Sequence, residues 1–179
     1  DIALMRTIPG MTVINPSDGV SAKKLLEQAV AMEGPCYVRL GRAKVPVFYE
    51  DSDQLTLGKG NLVRDGKDVT IVATGIMVSE AMAAAEKLKE DGIDARIIDI
   101  HTIKPIDEEI LIKAAQETGA IVTAEEHSII GGLGSAVAEV IVKNCPVKMA
   151  MVGQKDTYGE SGKPDELKKK YGMTADDIE

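Results

Sequence analysis

Apolar and polar positions along this chain follow two rhythms: a helical one near 3.6 residues, and short apolar runs of strand length. "DIALMRTIP" is apolar on one side and stops at Pro9, as the end of a helix would. "MTVINPSD" predicts a short strand over 11–14 followed by a turn. Ser17 or Asp18 can cap the helix "GVSAKKLLEQAVAME", which Gly34-Pro35 ends, and "CYVRLG" is the next strand. Residues 41–68 break the rhythm. "RAKVPVFYEDSDQLTLGKGNLVRDGKD" has no helical period and is rich in Gly, Asp and Pro, so a linker with one or two short extended pieces is predicted.

From Asp68 strands and helices alternate cleanly. "DVTIVATG" reads as a buried strand, and "MVSEAMAAAEKLKEDG" as an amphipathic helix closed by Gly92. "DARIIDIH" is a strand, and "TIKPIDEEILIKAAQETG" a turn and a helix with Pro105 near its start and Gly119 at its end. "AIVTAEEH" is a strand, a glycine loop and helix follow, and "VKMAMVG" is the last strand. The tail from Asp156 is polar, with a short helix after Pro164 and a lysine run at 168–170 expected on a solvated face. Such alternation predicts an α/β fold with a mostly parallel sheet flanked by helices on both faces. The division expected is 1–43 as the tail of a first α/β unit, 44–67 as linker, and 68–179 as a second α/β domain.

Composition narrows the function classes. A chain of 179 residues that is 44% hydrophobic can bury a real core without staples. Aromatics are only 3%, with no Trp and a single Phe48, so the core must be aliphatic and base stacking has no platform. A formal net charge of −8 argues against nucleic acid, though not against a small local anion site. Cys36 and Cys145 have no CxxC spacing, which points to a reducing cytoplasm rather than a disulfide framework. No apolar run reaches membrane-spanning length, and no cationic stretch precedes an apolar one at the start, so neither membrane association nor a secretory leader is expected. The chain opens on Asp1 rather than Met, which leads us to expect a piece of something longer.

Four motifs carry candidate chemistry. Gly131, Gly132 and Gly134 stand between a strand and a helix, where α/β proteins often hold a phosphate. In the GxGxxG frame the third position is Val137 and the nearest downstream acid is Asp156, so the dinucleotide match is partial; a tight turn with close helix packing is the favoured reading. Glu125, Glu126 and His127 end a strand, where paired acids beside a histidine can do acid–base chemistry or hold metal. Neighbours on a strand face opposite ways, so one acid shares a face with His127 and no full constellation is specified. His101 and His127 lack ligand spacing and are expected as hydrogen-bonded structural groups. Arg39, Arg42 and Lys44 sit at a strand end, where a bend at Gly41 is needed to bring the two arginines together; from the residues alone a phosphate or carboxylate contact and a salt-bridged strand end stand equal. Ser161 in "GESGK" lacks the flanking glycines of a GxSxG elbow, and nothing in the tail demands catalysis.

Taken in order, "DIALMRTIPGMTVINPSD", "YVRLGRAKVP", "DVTIVATGIMVSEAMAAAEKL", "ARIIDIHTIKPID", "TAEEHSIIGGLGSAVAEV" and "YGESGKPDELKKKYGMTADDI" resemble the C-terminal part of the transketolase family over nearly the whole chain. Relatives share much of this pattern, notably deoxyxylulose phosphate synthase and the beta subunits of 2-oxoacid dehydrogenases. "GESG" and "RLGR" favour transketolase, and the split type made of two shorter polypeptides.

The resemblance implies that 1–43 is the tail of a pyrimidine-binding domain and 68–179 the C-terminal domain. It implies a transferase of the pentose phosphate pathway that moves a two-carbon ketol unit from a ketose phosphate to an aldose phosphate. Thiamine diphosphate, with magnesium or calcium, would serve the complete enzyme and would not bind this chain alone. The expected partners are a second copy in a homodimer, the N-terminal section or subunit, and sugar phosphates. Arg42 carries over as the substrate contact gripping the sugar phosphate, with Asp1 to Arg6 at the edge of the same site. No catalytic, cofactor-binding or metal residue carries over, and the glycine loop becomes architectural. A free-standing nucleotide- or anion-binding regulatory module using that loop is the rival reading.

Overall fold

The computed structural model describes residues 1–42 and 44–179. The expected boundary at 43 therefore falls outside the described residues. Among the described residues, eight strands form two sheets. The smaller holds β1 (Thr12–Ile14), β2 (Cys36–Val38) and β6 (Thr102–Lys104) in the order β2-β1-β6. The larger has the order β3-β5-β4-β7-β8, built from β3 (Asn61–Arg64), β4 (Val69–Ala73), β5 (Ala95–Asp99), β7 (Ala120–Ser128) and β8 (Lys148–Gln154). All neighbours are parallel except β1–β6 and β3–β5.

The helices of the described residues cover them: α1 (Ile2–Thr7), α2 (Gly19–Ala31), α3 (Met77–Glu90), α4 (Glu108–Thr118), α5 (Leu133–Asn144), α6 (Pro164–Lys170) and α7 (Ala175–Ile178). Local chemistry sets their ends. Asp18 caps α2 by accepting the Ser21 N–H at 2.8 Å, and Asp107 caps α4. Gly92 and Gly119 take positive φ just past α3 and α4, the left-handed turn that glycine adopts without a Cβ penalty.

The central strand β4 shows why its sequence is almost wholly apolar. Val72 faces a core shared with α4 and α5 residues such as Leu111 and Val137. Ile71 and Ala73 face a second core with Met77, Ala81 and Ala85 of α3, and with Met173 and Ile178 of the tail. Both faces are buried, so period-two alternation has no place. The tail segment 173–178 belongs to this core, and α7 is a helix that the sequence reading did not contain.

One expectation needs correction. The stretch "TIK", read as a turn, is strand β6; it pairs antiparallel with β1, Val13 opposite Lys104 and Ile14 opposite Thr102. The chain thus leaves one sheet at Asp99 and enters the other within three residues. An extended piece expected in the 44–67 stretch is present as β3, which closes one edge of the larger sheet against β5.

Candidate functional site

The glycine loop meets its ligand from within the chain. Glu125, fully buried near the end of β7, accepts the Leu133 N–H at 2.6 Å and the Gly134 N–H at 2.8 Å. Those are the free donors at the start of α5, where an anion is favoured. The carboxylate therefore fills the place a phosphate would take. The glycines allow it: a Cβ at Gly132 would collide with the Glu125 carboxylate, and one at Gly134 would lie 2.9 Å from Thr123 Oγ1. The nucleotide-loop reading fails on this contact, and with it the free-standing binding module that depended on the loop.

The acids and histidine ending β7 separate as alternation requires. Glu126 accepts from Arg39 at 3.2 Å. His127 lies on the Glu125 side, 3.6 Å from its Oε2. Its Nδ1 faces the Ser128 carbonyl at 2.7 Å and so carries the proton, leaving Nε2 to accept the Ala3 N–H at 3.5 Å. Arg39 also reaches Asp1 Oδ2 at 3.1 Å, where Tyr37 Oη donates at 2.7 Å. Arg6 donates to the Gly131 carbonyl at 2.6 Å and pairs with both Glu139 oxygens at 3.0 Å. Lys104 donates to the carbonyls of Arg6 and Ile8, capping the end of α1. Helix α1 is thus clamped onto the glycine loop, and Asp1 to Arg6 serve this contact. The "EEH" group is a docking surface between the first forty residues and the larger sheet.

Arg39 and Arg42 part company. Arg39 is consumed by Asp1 and Glu126. Arg42 is exposed and lines an open cleft of about 400 Å³ with Glu126, Ser161, Gly162 and Lys168. Arg6, Arg39, Arg64 and Arg96 all hold carboxylates, whereas Arg42 forms no ion pair among the described residues. Lys168 is not on a solvated face: it reaches Glu80 at 2.6 Å and Asp165 at 3.2 Å, tying α6 to α3.

The second histidine is structural. His101 is fully buried between Thr102 Oγ1 at 3.0 Å and Asn61 Oδ1 at 3.2 Å, and desolvation lowers its pKa to about 4. Two residues earlier, Asp99 accepts from Ser17 at 2.5 Å and Tyr49 at 3.0 Å. Burial outweighs those bonds and pushes its carboxyl up to about 7, with the charge of Asp18 adding to the shift. Its Oδ1 has no partner among the described residues. Sequence reading passed over this buried cluster; an acid inside the apolar run "ARIIDI" is the signal that could have raised it.

The fit to a thiamine diphosphate cradle is poor. The best-placed helix N-terminus is taken by Glu125, and no three His, Cys, Asp or Glu side chains among the described residues are arranged to hold a metal ion.

Comparison with known proteins bears on the whole chain. A 6-deoxy-6-sulfo-D-fructose transketolase subunit of Clostridium sp. (strain MSTE9) is 50% identical over 99% of this chain and 55% of its own length. A subunit of an apulose-4-phosphate transketolase of Phocaeicola vulgatus is 44% identical over 99% of this chain and 57% of its own. A solved split-gene transketolase, described as an inactive beta4 tetramer, superposes with a TM-score of 0.96 at 48% identity, covering 99% of this chain and 58% of that one. The chain therefore spans little more than half the length of these relatives. The transketolase pyrimidine-binding domain matches residues 1–47 and the transketolase C-terminal domain matches residues 58–178. The chain belongs to the transketolase family, as a C-terminal section.

Proposed function

We propose that this chain is the C-terminal section of a thiamine diphosphate-dependent transketolase that moves a two-carbon ketol unit from a ketose phosphate to an aldose phosphate in the cytoplasm. The cofactor, with magnesium or calcium, is held by the N-terminal section or subunit together with the remainder of the pyrimidine domain. This chain joins the subunits of a homo-oligomer and has no activity by itself. The relatives' names support a split enzyme, one of them in a tetramer. They also widen the sugar: one is named for a sulfonated ketose and another for a phosphorylated one, so the pentose phosphate pathway is one of several settings for the reaction.

Within the reaction this chain supplies Arg42, which binds the anionic end of the sugar far from the reacting carbon. The observation that carries this role is the guanidinium of Arg42, without an ion pair among the described residues of an acidic chain whose other arginines are all paired. A guanidinium matches a tetrahedral oxyanion through two parallel N–H bonds. Binding energy gained there orients the substrate for chemistry elsewhere.

In the complete assembled enzyme, Arg42→Ala raises KM for a phosphorylated ketose roughly 10- to 100-fold, the scale of one lost hydrogen bond to a charged group, with a smaller effect on kcat. Unchanged kinetics would remove the assignment.

A further inference from the structure

The "GESG" loop lines the same cleft as Arg42, and the reaction as described leaves it without a role. Ser161 and Gly162 line the Arg42 cleft. The loop is held at several points. Lys170 reaches Glu160 at 2.6 Å, and Tyr171 Oη donates to the Tyr158 carbonyl at 3.2 Å. A Cβ at Gly162 would lie 3.1 Å from Leu167 Cδ2, so the backbone there sits close on α6. Helix α6 is itself anchored to α3 by Lys168 and Glu80 at 2.6 Å.

The charges lining the cleft largely cancel. Glu126 is neutralised by Arg39, Glu160 by Lys170, and Lys168 by Glu80 and Asp165. What remains is the guanidinium of Arg42 and the hydroxyl of Ser161, which has no side-chain hydrogen bond among the described residues. A hydroxyl donates readily to an anionic oxygen and adds no charge.

We propose that Ser161 is a second contact for the terminal oxyanion of the sugar, donating from the loop that lines the same cleft as Arg42, an assignment that rests on the reading of Arg42 as the anion contact. Arg42 supplies charge, and Ser161 directs an oxygen that the arginine leaves free. The shared ligand chemistry is a tetrahedral oxyanion, either a phosphate ester or a sulfonate.

The test uses the complete assembled enzyme with three donors: fructose 6-phosphate, 6-deoxy-6-sulfofructose, and erythrulose, which has no terminal anion. Ser161→Ala should raise KM about five- to tenfold for an anionic ketose and leave erythrulose unchanged. Ser161→Thr, which keeps the hydroxyl, should recover at least half of the loss. The anionic ketose with the larger response identifies the oxyanion. If Arg42→Ala raises KM for the anionic donors while Ser161→Ala changes none, Ser161 has no contact and the reading of Arg42 stands. An equal rise on all three donors would make Ser161 a structural residue and overturn the proposal. If Arg42→Ala itself has no effect, the anion site is elsewhere and both assignments fall.

Discussion

Gly134 donates its backbone N–H to Oε1 of Glu125 at 2.8 Å, so the strand that ends before the glycine loop caps the helix that begins after it. A buried carboxylate on two helix N–H groups is an internal substitute for a bound phosphate. Glu125→Ala leaves both donors buried without a partner and should cost about 2–4 kcal/mol in urea denaturation. Glu125→Gln, whose amide oxygen still accepts, should cost roughly half as much. A Glu125→Ala chain as stable as the parent would show that the cap contributes nothing.

Two buried groups give opposite pH dependences. Asp99 titrates near 7 in the fold against 3.8 ordinarily, so the folded chain keeps a proton that the unfolded chain has lost, and its contribution to stability is lost as pH rises through that window. His101 titrates near 4 against 6.5, so the unfolded chain takes up a proton that the fold refuses, and that contribution is lost as pH falls. Between about pH 4 and 6.5 the two slopes oppose. Asp99→Asn should leave only the histidine slope, with the unfolding free energy from urea denaturation climbing with pH over that range by at most about 1.4 kcal/mol per pH unit. His101→Asn should give the reverse trend. Parallel profiles for the two variants would contradict the opposition.

Arg6 holds α1 on the glycine loop through the Gly131 carbonyl at 2.6 Å and Glu139 at 3.0 Å. Glu139 is largely exposed, so the ion pair itself is worth little, and most of the effect lies in the carbonyl bond. Arg6→Met should destabilise by about 1–2 kcal/mol. Amide exchange in residues 1–8 should accelerate while the larger sheet stays protected. Uniform acceleration everywhere would mean that α1 does not open separately.

Glu80 carries the tail. It receives Lys168 at 2.6 Å and the Ala175 N–H at 3.1 Å, joining α3 to both tail helices. Glu80→Ala should release residues 164–178 to rapid amide exchange and cost about 1–3 kcal/mol. Because α6 backs the Ser161 loop, KM for an anionic ketose should rise as well. Exchange confined to α3 would break this link.

Much of the fold is legible in the residues. The apolar run of β4, the caps at Asp18 and Gly119, and the 3.6-residue period of α3 are local signals, set by steric fit and burial within a few residues. Strand β6 was not legible, because three residues carry almost no pattern and its reason to extend is the antiparallel partner β1, nearly ninety positions earlier. Helix α7 was missed for the same reason: its four residues gain their stability from burying Ala175 and Ile178 on the α3 core, not from propensity.

The site divides along the same line. By itself the sequence determined the order of the longer elements, the aliphatic core, the acidic balance, and Arg42 as a cation at a strand end, since each depends on residue type and spacing alone. Only the tertiary structure decided which charges are spent. It gave Arg39 to Asp1 and Glu126, brought Arg42 and Ser161 to the lining of one cleft, and put Glu125 where a nucleotide phosphate would sit. A charge acts on a ligand only when no nearer opposite charge holds it, and nearness between residues a hundred positions apart is a property of the folded chain.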